Sequence, residues 1–321
     1  MSNIKTLFLI DAMSMIYRAY FALSKSPIIN SKGLNTSAIL GFANMLLDIL
    51  KNEKPTHIGV AFDSAAPTFR HEEYEEYKAQ RDAMPEDIAI SIPYIKEMLN
   101  KMSIPTFAMD GFEADDIIGT LAKKGEAEGF TVYMMTSDKD FGQLVSDNIF
   151  IYRPGKQGKS AEKIGVKEVC SKYSIDSPTQ LIDILGLWGD ASDNIPGVPG
   201  IGEVKAKRLL QEYGSIENLI KNSDAIENNK LRELVKKYSN QAIFSKNLAT
   251  IATDTPISFY ADELKWSVPE PTEIMELFKE LEFRTFSKRF HDAFYANQPE
   301  IASIRYGIQG DLFSQTNAKT P

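Results

Sequence analysis

The sequence predicts an α/β fold with a mostly parallel central sheet flanked by helices. Over the first 150 residues, short apolar runs typical of buried strands alternate with segments whose apolar residues recur at helical spacing. Four of the apolar runs are followed by acids, as expected of parallel strands that end at one functional edge. The chain has 321 residues, more than one hydrophobic core usually holds, so we expect two lobes.

The elements of the first lobe follow from these patterns. Apolar runs predict strands at residues 5–10, 57–62, 104–109, 131–135 and 148–152. Helical spacing predicts helices at residues 36–51, 87–101, 113–124 and 139–145. Thr36 is the expected N-cap of the first of these helices.

The second lobe differs in pattern. A Gly/Lys loop at residues 153–163 marks the transition, and short helices dominate from residue 166 to about residue 238. We therefore expect an α/β core at residues 1–165 and a helical lobe at residues 166–296. Residues 297–321 lack periodicity and are typical of a linker or a disordered tail.

Composition indicates an ordinary globular protein of the cytoplasm. No apolar stretch approaches the roughly 18 residues that a membrane span needs, and no secretory leader is evident. The single cysteine, Cys170, cannot form an internal disulfide, which favours a reducing compartment.

Nine acids lie where an α/β fold would bring them together. They are Asp11, Asp63, Glu113, Asp115, Asp116, Asp138, Asp140, Asp190 and Asp193. Carboxylates at this density repel one another unless cations neutralise them. The three histidines are scattered singly, which disfavours zinc, whereas oxygen-only ligation favours two Mg²⁺ ions, with Mn²⁺ as the expected substitute. Two such ions suit in-line displacement at phosphorus.

Simpler explanations exist for each group of acids. Glu113 and its neighbours would cap a helix, Asp138 and Asp140 would form a turn, and Asp190 and Asp193 would lie in an exposed loop. Capping needs one acid rather than three, and four groups at strand ends together with a fifth pair in one loop favour a joint metal site. Without the nine acids the net charge of −8 becomes −8 + 9 = +1, so overall acidity does not exclude a polyanion substrate.

A basic and aromatic segment follows Asp63. Residues 68–85 carry Arg70, Lys78 and Arg81 with tyrosines such as Tyr77 between them, a combination that suits single-stranded nucleic acid. A solvated charged helix, balanced by the four glutamates of the segment, is the alternative. The position of the segment directly after Asp63 favours a DNA-binding role above the metals.

A glycine hairpin at residues 195–214 is the second predicted contact with nucleic acid. Its glycines would let backbone N–H groups approach phosphates, and three cations open the following helix. A tightly packed helix–turn–helix corner is the alternative. The predicted contacts are Gly197, Gly200, Gly202, Lys205 and Lys207.

Taken together, these stretches resemble the 5′ nuclease (flap endonuclease) domain at the N-terminus of bacterial DNA polymerase I. The matching motifs include LFLIDAMSMIYRAYFAL, GFEADDIIGTLA, TSDKDFGQLV and LWGDASDNIPGVPGIGEVKAKRLL, and the resemblance runs from about residue 5 to residue 290. It implies a PIN-like nuclease core, a helical arch at about residues 64–86 and a helix–hairpin–helix that holds duplex DNA and a K⁺ ion. The implied activity is cleavage of 5′ flaps, nicks and 5′ ends in primer removal and repair.

The resemblance also implies residue roles. Asp63, Glu113, Asp115 and Asp116 would hold one metal, assisted by Asp11, and Asp138, Asp140, Asp190 and Asp193 would hold the second. Lys78 and Arg81 would neutralise the scissile phosphate, Arg18 would contact the 5′ strand, and Tyr77 would stack on a base.

Further expectations concern the tail and the competing functions. Residues 309–313 (QGDLF) resemble a peptide that docks on the sliding clamp, and the abrupt tail favours an excised domain over a short natural relative. We expect a monomer. The alternatives are a PIN-like ribonuclease, whose domains are far shorter, and a non-catalytic binder of DNA junctions.

Overall fold

Six short strands form one sheet in the computed structural model, which describes residues 5–155 and 160–296. The strands are β1 (Thr6–Asp11), β2 (His57–Ala61), β3 (Thr106–Phe107), β4 (Thr131–Met135), β5 (Ile149–Arg153) and β6 (Glu162–Ile164). Their order in the sheet is β3-β2-β1-β4-β5-β6, and all neighbours are parallel except β5 and β6. The chain leaves β1 toward β2 on one side and later returns to β4 on the other. The strand order therefore reverses at β1, where parallel sheets place their ligands.

Five helices accompany the first five strands. They are α1 (Ala12–Leu23), α2 (Ser37–Asp48), α3 (Phe69–Glu73), α4 (Glu86–Lys101) and α5 (Ala114–Ala127). A π-helical turn, Ile49–Glu53, continues α2, and a 3₁₀ turn, Asp140–Leu144, follows β4. The five predicted strands and four predicted helices are all found, with shifted ends. The sequence pattern predicts no element at residues 12–35 and no strand at β6, which lies at the end of the predicted loop.

Short helices follow β6, as predicted. They are α6 (Val166–Tyr173), α7 (Leu181–Trp188), α8 (Glu203–Tyr213), α9 (Ile216–Lys221), α10 (Asn229–Lys237), α11 (Ser239–Ala249) and α12 (Ala261–Leu264). Two 3₁₀ turns, Pro178–Gln180 and Ser223–Ala225, lie between them. One buried cluster joins strand residues such as Leu9 and Val132 to Leu185, Leu210 and Leu248 of these helices. The sheet and the helices up to residue 267 therefore share a hydrophobic core.

The chain divides into two compact units at Ser267 and Val268. The second unit contains α13 (Pro271–Glu280) and α14 (Arg284–Phe294), whose core is a set of edge-to-face aromatic contacts around Phe278 and Phe290. The predicted lobes at residues 1–165 and 166–296 remain a prediction. The predicted tail and the clamp-like peptide at residues 309–313 lie outside the described residues. Among those described, no helix is both long and apolar enough to cross a membrane.

Candidate active site

The ends of three parallel strands deliver the first acids of the site. Asp11 is the last residue of β1, Asp63 follows β2 by two residues, and Asp138 follows β4 by three. In the sheet register Asp11 lies beside Ala61 of β2, and its neighbour Ile10 lies beside Met135 of β4. These acids therefore leave the sheet at the same edge, as the sequence predicts.

Hydrogen bonds fix the acids to this edge. Asp11 accepts from the Ser14 backbone N–H at 3.0 Å and from the Thr136 hydroxyl at 2.8 Å. The Thr136 hydroxyl oxygen in turn accepts from the Asp138 N–H at 3.0 Å, which links the ends of β1 and β4. Asp63 accepts from the Ala114 N–H at 2.9 Å, which links β2 to the start of α5.

Four acids that are buried or half-buried have no ion pair within the described part of the chain, and we call them the unpaired acids: Asp11, Asp115, Asp138 and Asp140. Burial raises the pKa of all four, to about 7 for Asp11. Repulsion from neighbouring carboxylates raises these pKa values further, as Asp11 and Asp138 do for Asp115. Lys78 lowers the pKa of Asp115, and Lys139 lowers those of Asp138 and Asp140, but neither lysine outweighs burial. The protein therefore neutralises the negative charge of this group only in part.

The surroundings of Asp140 test whether a cation fits this site. It is buried at the start of the 3₁₀ turn, and its Oδ1 atom has no hydrogen-bond partner. A buried oxygen of this kind costs free energy unless a donor or a cation satisfies it. Oxygen-only donors with unmet negative charge fit Mg²⁺ or Mn²⁺. Within residues 5–155 and 160–296, however, no three acidic, histidine or cysteine side chains form a ready-made metal site.

Four other acids, the paired acids, lie against lysine or arginine side chains: Glu113, Asp116, Asp190 and Asp193. Lys78 Nζ lies 2.6 Å from Glu113 Oε1 and 3.6 Å from Asp193 Oδ2, and Arg81 Nη2 lies 2.5 Å from Asp193 Oδ1. Burial opposes the charge of Lys78, but Glu113 and Asp193 outweigh it and raise the pKa of Lys78. The ninth acid, Asp63, is exposed and belongs to neither group.

Lys139 is a site residue that is not among those predicted from the sequence. Its Nζ lies 2.8 Å from Asp190 Oδ2 and 5.4 Å from the centre of the Trp188 ring. Burial alone would raise the pKa of Asp190, but hydrogen bonds from Lys139 and Ser192 lower it overall. Its position between Asp138 and Asp140 was the signal that could have identified it.

Arg70 and Asp116 form a buried, bidentate pair. Two guanidinium nitrogens donate to the two Asp116 oxygens, each at 2.8 Å, while Nε and Nη2 donate to the carbonyls of Leu248 and Thr250 at 2.9 and 2.7 Å. The Asp116 oxygens also accept from the N–H groups of Glu113 and Ala252. Arg70 is 2% exposed, so the predicted DNA contact at Arg70 is wrong in this structure, because its donors are buried and taken.

The segment that was expected to form a helical arch is mostly turns. It contains the five-residue α3 and then turns up to residue 80, with Lys78 in the left-handed region at φ 57°. Main-chain and side-chain bonds tie the turn to the loop at residues 190–194: Lys78 N–H donates to the Asp193 carbonyl at 3.0 Å, and Asn194 donates to the Glu76 carbonyl at 2.7 Å. Lys78, Tyr77 and Arg81 therefore do not share a helical face.

Tyr77 is also placed differently from the prediction. Its side chain is 3% exposed, and its hydroxyl is 3.0 Å from Glu113 Oε2 and 3.1 Å from Asp193 Oδ2. A ring buried in this way cannot stack on a base, so the predicted stacking role is wrong in this structure. An exposed aromatic lies instead near the end of α1, where Phe21 is 60% exposed and contacts the ring of Tyr20. Ile29 nearby in the sequence is 55% exposed.

The glycine hairpin separates into a buried part and an exposed part. Gly197 has φ 58°, its N–H donates to the Ser245 hydroxyl, and a Cβ there would lie 2.3 Å from the Gly189 nitrogen. Gly197 therefore serves close backbone packing, and its predicted contact with phosphate is wrong in this structure. Gly200 and Gly202 are exposed, as a phosphate contact requires.

The remaining predicted DNA contacts are at or near the surface. Lys205 Nζ donates to the Gly200 carbonyl at 2.7 Å, whereas Lys207 pairs with Glu203 at 2.8 Å and donates to the Lys172 carbonyl. Arg18 is half-buried and donates to the Pro154 carbonyl at 2.8 Å.

Comparison with known proteins identifies the family. Residues 6–174 match the model of the 5′-3′ exonuclease N-terminal resolvase-like domain, and residues 176–272 match that of the 5′-3′ exonuclease C-terminal SAM fold. The chain belongs to the 5′-3′ exonuclease family. The resemblance drawn from the sequence motifs is thereby confirmed, and the chain is a nuclease of this family.

Relatives of this exonuclease include bacterial polymerases. It is 41% identical over 290 residues to DNA polymerase I of Bacillus subtilis and 42% identical over 303 residues to DNA polymerase I of Geobacillus stearothermophilus. The matches cover 90% and 94% of this chain but 32% and 34% of those proteins. The chain thus spans about a third of the length of these curated relatives.

Solved structures confirm the predicted fold class. The T5 5′-exonuclease with bound zinc matches with a TM-score of 0.64 and 20% identity, over 90% of this chain and 98% of that one. The catalytic core of Rad2 in complex with a DNA substrate matches with a TM-score of 0.58 and 18% identity, over 90% of this chain and 92% of that one. The exonuclease therefore has the mostly parallel sheet flanked by helices that its sequence predicts.

Proposed function

We propose that this 5′-3′ exonuclease hydrolyses DNA phosphodiesters at 5′ flaps, nicks and 5′ ends with two Mg²⁺ ions. The observation that carries this proposal is the group of unpaired acids at the switch point of a parallel sheet, whose negative charge the protein neutralises only in part. Family membership supports the nuclease activity, and the zinc and DNA complexes of T5 exonuclease and Rad2 support the choice of cofactor class and substrate.

The chain's own residues would divide the work in the following way. The unpaired acids Asp11, Asp115, Asp138 and Asp140 would provide the main ligands, with Asp63, Glu113, Asp190 and Asp193 completing the two sites. When bound, the two ions supply a nucleophilic water and neutralise the charge that develops on the phosphate. No protein nucleophile is then required.

Lys78 and Arg81 are placed to exchange partners. Lys78 pairs with Glu113 and Arg81 pairs with Asp193, and both acids are proposed metal ligands. An ammonium or guanidinium so held would turn to the scissile phosphate once the acids have other cations, and would stabilise its negative charge. Their turn, tied to the loop at residues 190–194, would keep them beside the reacting group.

Arg70 and Asp116 are positioning residues in this proposal. Asp116 was predicted as a metal ligand, but its two oxygens already accept four hydrogen bonds from Arg70 and two backbone groups. The pair fixes the start of α5, and hence Glu113 and Asp115, against the segment at residues 248–252. It would therefore act on catalysis through the geometry of its neighbours.

DNA would contact the site on two sides. Gly200, Gly202, Lys205 and Lys207 would bind phosphates of the duplex without reading its sequence. Arg18 would bind the 5′ strand, and the exposed ring of Phe21 would replace Tyr77 as the platform on which a base stacks.

The test is cleavage of a 5′-flap DNA with and without Mg²⁺. We expect cleavage near the flap junction that requires Mg²⁺, is supported by Mn²⁺ and is abolished by EDTA. Faster cleavage of a single-stranded RNA of matched sequence would favour the PIN-like ribonuclease. Metal-independent binding without cleavage would favour the non-catalytic junction binder.

We further infer that the chain acts in primer removal and DNA repair as the N-terminal part of a DNA polymerase I. Its similarity to two such polymerases supports this inference. The K⁺ ion at the glycine hairpin, sliding-clamp binding, the monomeric state and the cytoplasmic location remain predictions. In the hairpin, the carbonyls of Gly197 and Gly200 accept hydrogen bonds from Gln241 and Lys205.

A further inference from the structure

Helix α10 concentrates positive charge on a chain whose net charge is −8. Its nine residues include four cations and one acid, Glu233. Two of the cations have protein partners, because Arg232 donates to Asn229 and to the Ile226 carbonyl, and Lys236 pairs with Asp224.

The other two cations of α10 are exposed and carry no ion pair within the described residues. Lys230 has no side-chain partner there, and Lys237 contacts only the ring of Tyr238, at 5.1 Å. Two ammonium groups are therefore available to a partner of negative charge.

The helical register places both lysines on one stripe. Lys230, Leu234 and Lys237 follow at i, i+4 and i+7, so they lie above one another on one face, with Glu233 at its edge. At 1.5 Å of rise per residue, the two lysines start about 10 Å apart along the helix axis. The paired cations Arg232 and Lys236 point to the other faces.

This stripe borders the glycine hairpin. A Cβ built on Gly200 would lie 3.8 Å from Leu234 Cδ1, so the middle of the stripe lies against the exposed turn. Gly200 has φ 82°, and Lys205 reaches back to its carbonyl. Within the described residues, the N–H groups of Gly200 and Gly202 donate to no protein acceptor.

We propose that Lys230 and Lys237 extend the glycine hairpin into one surface that binds the backbone of duplex DNA. The inference rests on the proposed function and adds two phosphate contacts that the sequence motifs do not mark. Free backbone N–H groups beside ammonium groups suit phosphate oxygens, and the contact carries no sequence information. An acidic protein segment would use the lysines without the glycine turn, so the shared border favours DNA.

The experiment measures binding of a nicked duplex by the full chain over a range of salt concentrations, in Ca²⁺ or with EDTA so that no cleavage occurs. Each phosphate that the protein no longer neutralises lowers the slope of log affinity against log salt by about 0.9. The Lys230→Ala/Lys237→Ala variant should therefore have a slope smaller by about two units and bind roughly 10-fold more weakly at moderate salt.

Lys236→Ala is the matched control, because Lys236 lies on the same helix but is paired with Asp224. It should change neither slope nor affinity, and circular dichroism should show the same helix content in both variants. An unchanged slope in the double variant, or an equal reduction in the control, would overturn the proposal.

Different results would reject the α10 surface and the proposed nuclease function. If Lys205→Ala/Lys207→Ala weakens binding while the α10 variant does not, the hairpin remains a DNA site and the α10 surface is rejected. If the α10 variant has the smaller slope but the unchanged chain cleaves no 5′ flap, the binding surface stands and the proposed catalysis is rejected.

Discussion

The paired and the unpaired acids occupy the same site but differ in what neutralises them. Glu113, Asp116, Asp190 and Asp193 lie against lysine or arginine, so the fold itself balances their charge. Asp11, Asp115, Asp138 and Asp140 are buried or half-buried without an ion pair in the described part of the chain, and burial raises the pKa of each. An acidic motif alone therefore does not show how each acid is neutralised, and we propose that the acids without a protein counter-ion are the main metal ligands.

The difference also assigns roles. A carboxylate that already holds a buried guanidinium would need the arginine to leave before a metal could replace it, and a buried cation left alone is costly. A carboxylate with no counter-ion gains from any divalent ion. We therefore expect the unpaired acids to bind first and the Arg70–Asp116 pair to remain intact throughout.

The largest effect should come from removing an unpaired acid. Asp138→Asn should lower turnover by about 10³-fold, because a main ligand is removed while the shape of the side chain is kept. DNA affinity in EDTA should stay within a few-fold of the original. The measurements are single-turnover cleavage of a 5′ flap and fluorescence anisotropy.

The Asp138→Asn variant also tests, by its stability without metal, whether the unpaired acids repel one another. Neutralising one of four mutually repelling acids should raise the melting temperature in EDTA. Asp147→Asn, on the surface after the 3₁₀ turn, is the control and should change neither turnover nor stability. Equal loss of turnover and DNA binding in Asp138→Asn would contradict the separate roles.

Breaking a paired acid should instead destabilise the fold. Arg70→Ala leaves Asp116 buried and uncompensated, and should cost about 3–5 kcal/mol of unfolding free energy. Arg70→Lys should recover only part of this loss, because lysine cannot make the bidentate pair and also reach the carbonyls of Leu248 and Thr250. Urea unfolding measures both variants. A loss below about 1 kcal/mol for Arg70→Ala would show that the pair is not structural.

At Lys78 we expect a smaller loss of turnover than at Asp138, together with tighter binding of Mg²⁺. Lys78→Met should lower turnover by roughly 10²-fold, because the variant loses one of the two cations proposed to stabilise the phosphate. It should also tighten Mg²⁺ binding in the absence of DNA, because Glu113 no longer holds an ammonium. Calorimetric titration with Mg²⁺ measures this, with Lys101→Met, at a half-buried lysine that pairs with Glu97, as the control. Weaker Mg²⁺ binding in Lys78→Met would contradict the exchange of partners.

The smallest effect is a dependence of stability on pH. The pKa of Asp11 is raised to about 7 in the folded chain, whereas an ordinary carboxyl in the unfolded chain has a pKa of about 4. Between these two pH values the folded chain therefore holds a proton that the unfolded chain has released. Without metal, the contribution of Asp11 to stability should therefore be most favourable below about pH 4. It should fall as the pH rises toward about 7.

Scanning calorimetry between about pH 5 and pH 8 in EDTA measures this fall, which should amount to a few degrees in melting temperature. Saturating Mg²⁺ should remove it, since the bound ions replace the protons. Asp11→Asn should show a flatter profile than the unchanged chain. A melting temperature that rises with pH in EDTA would show that Asp11 is ionised and compensated in the fold.

The strand ends and their acids could be predicted from the sequence because the signals are local. A buried apolar run followed by an acid fixes both the strand and the position of the side chain, as for Asp11 and Asp138. The positions of the hairpin glycines are equally clear in the sequence, but the sequence does not show which of them pack in the interior and which face solvent. Gly197 packs against the backbone of Gly189, and only the fold shows that its N–H is taken by Ser245.

The counter-ions could not be predicted, because they depend on distant contacts and on an irregular backbone. Arg70 becomes buried through the carbonyls of Leu248 and Thr250, which lie 178 and 180 residues further along the chain. Lys78 reaches Glu113 from a turn with a positive φ, whereas the composition of its segment indicated a helix. Charge counts in the sequence say nothing about which acid meets which cation.

The most direct test of the central claim is a crystal soaked in Mn²⁺ and measured at a wavelength that reveals the ions by anomalous scattering. The account predicts two peaks whose nearest oxygens include those of Asp11, Asp115, Asp138 and Asp140, with Arg70 still bonded to both oxygens of Asp116. Peaks at Asp116 with Arg70 displaced, or no peak beside the unpaired acids, would contradict it.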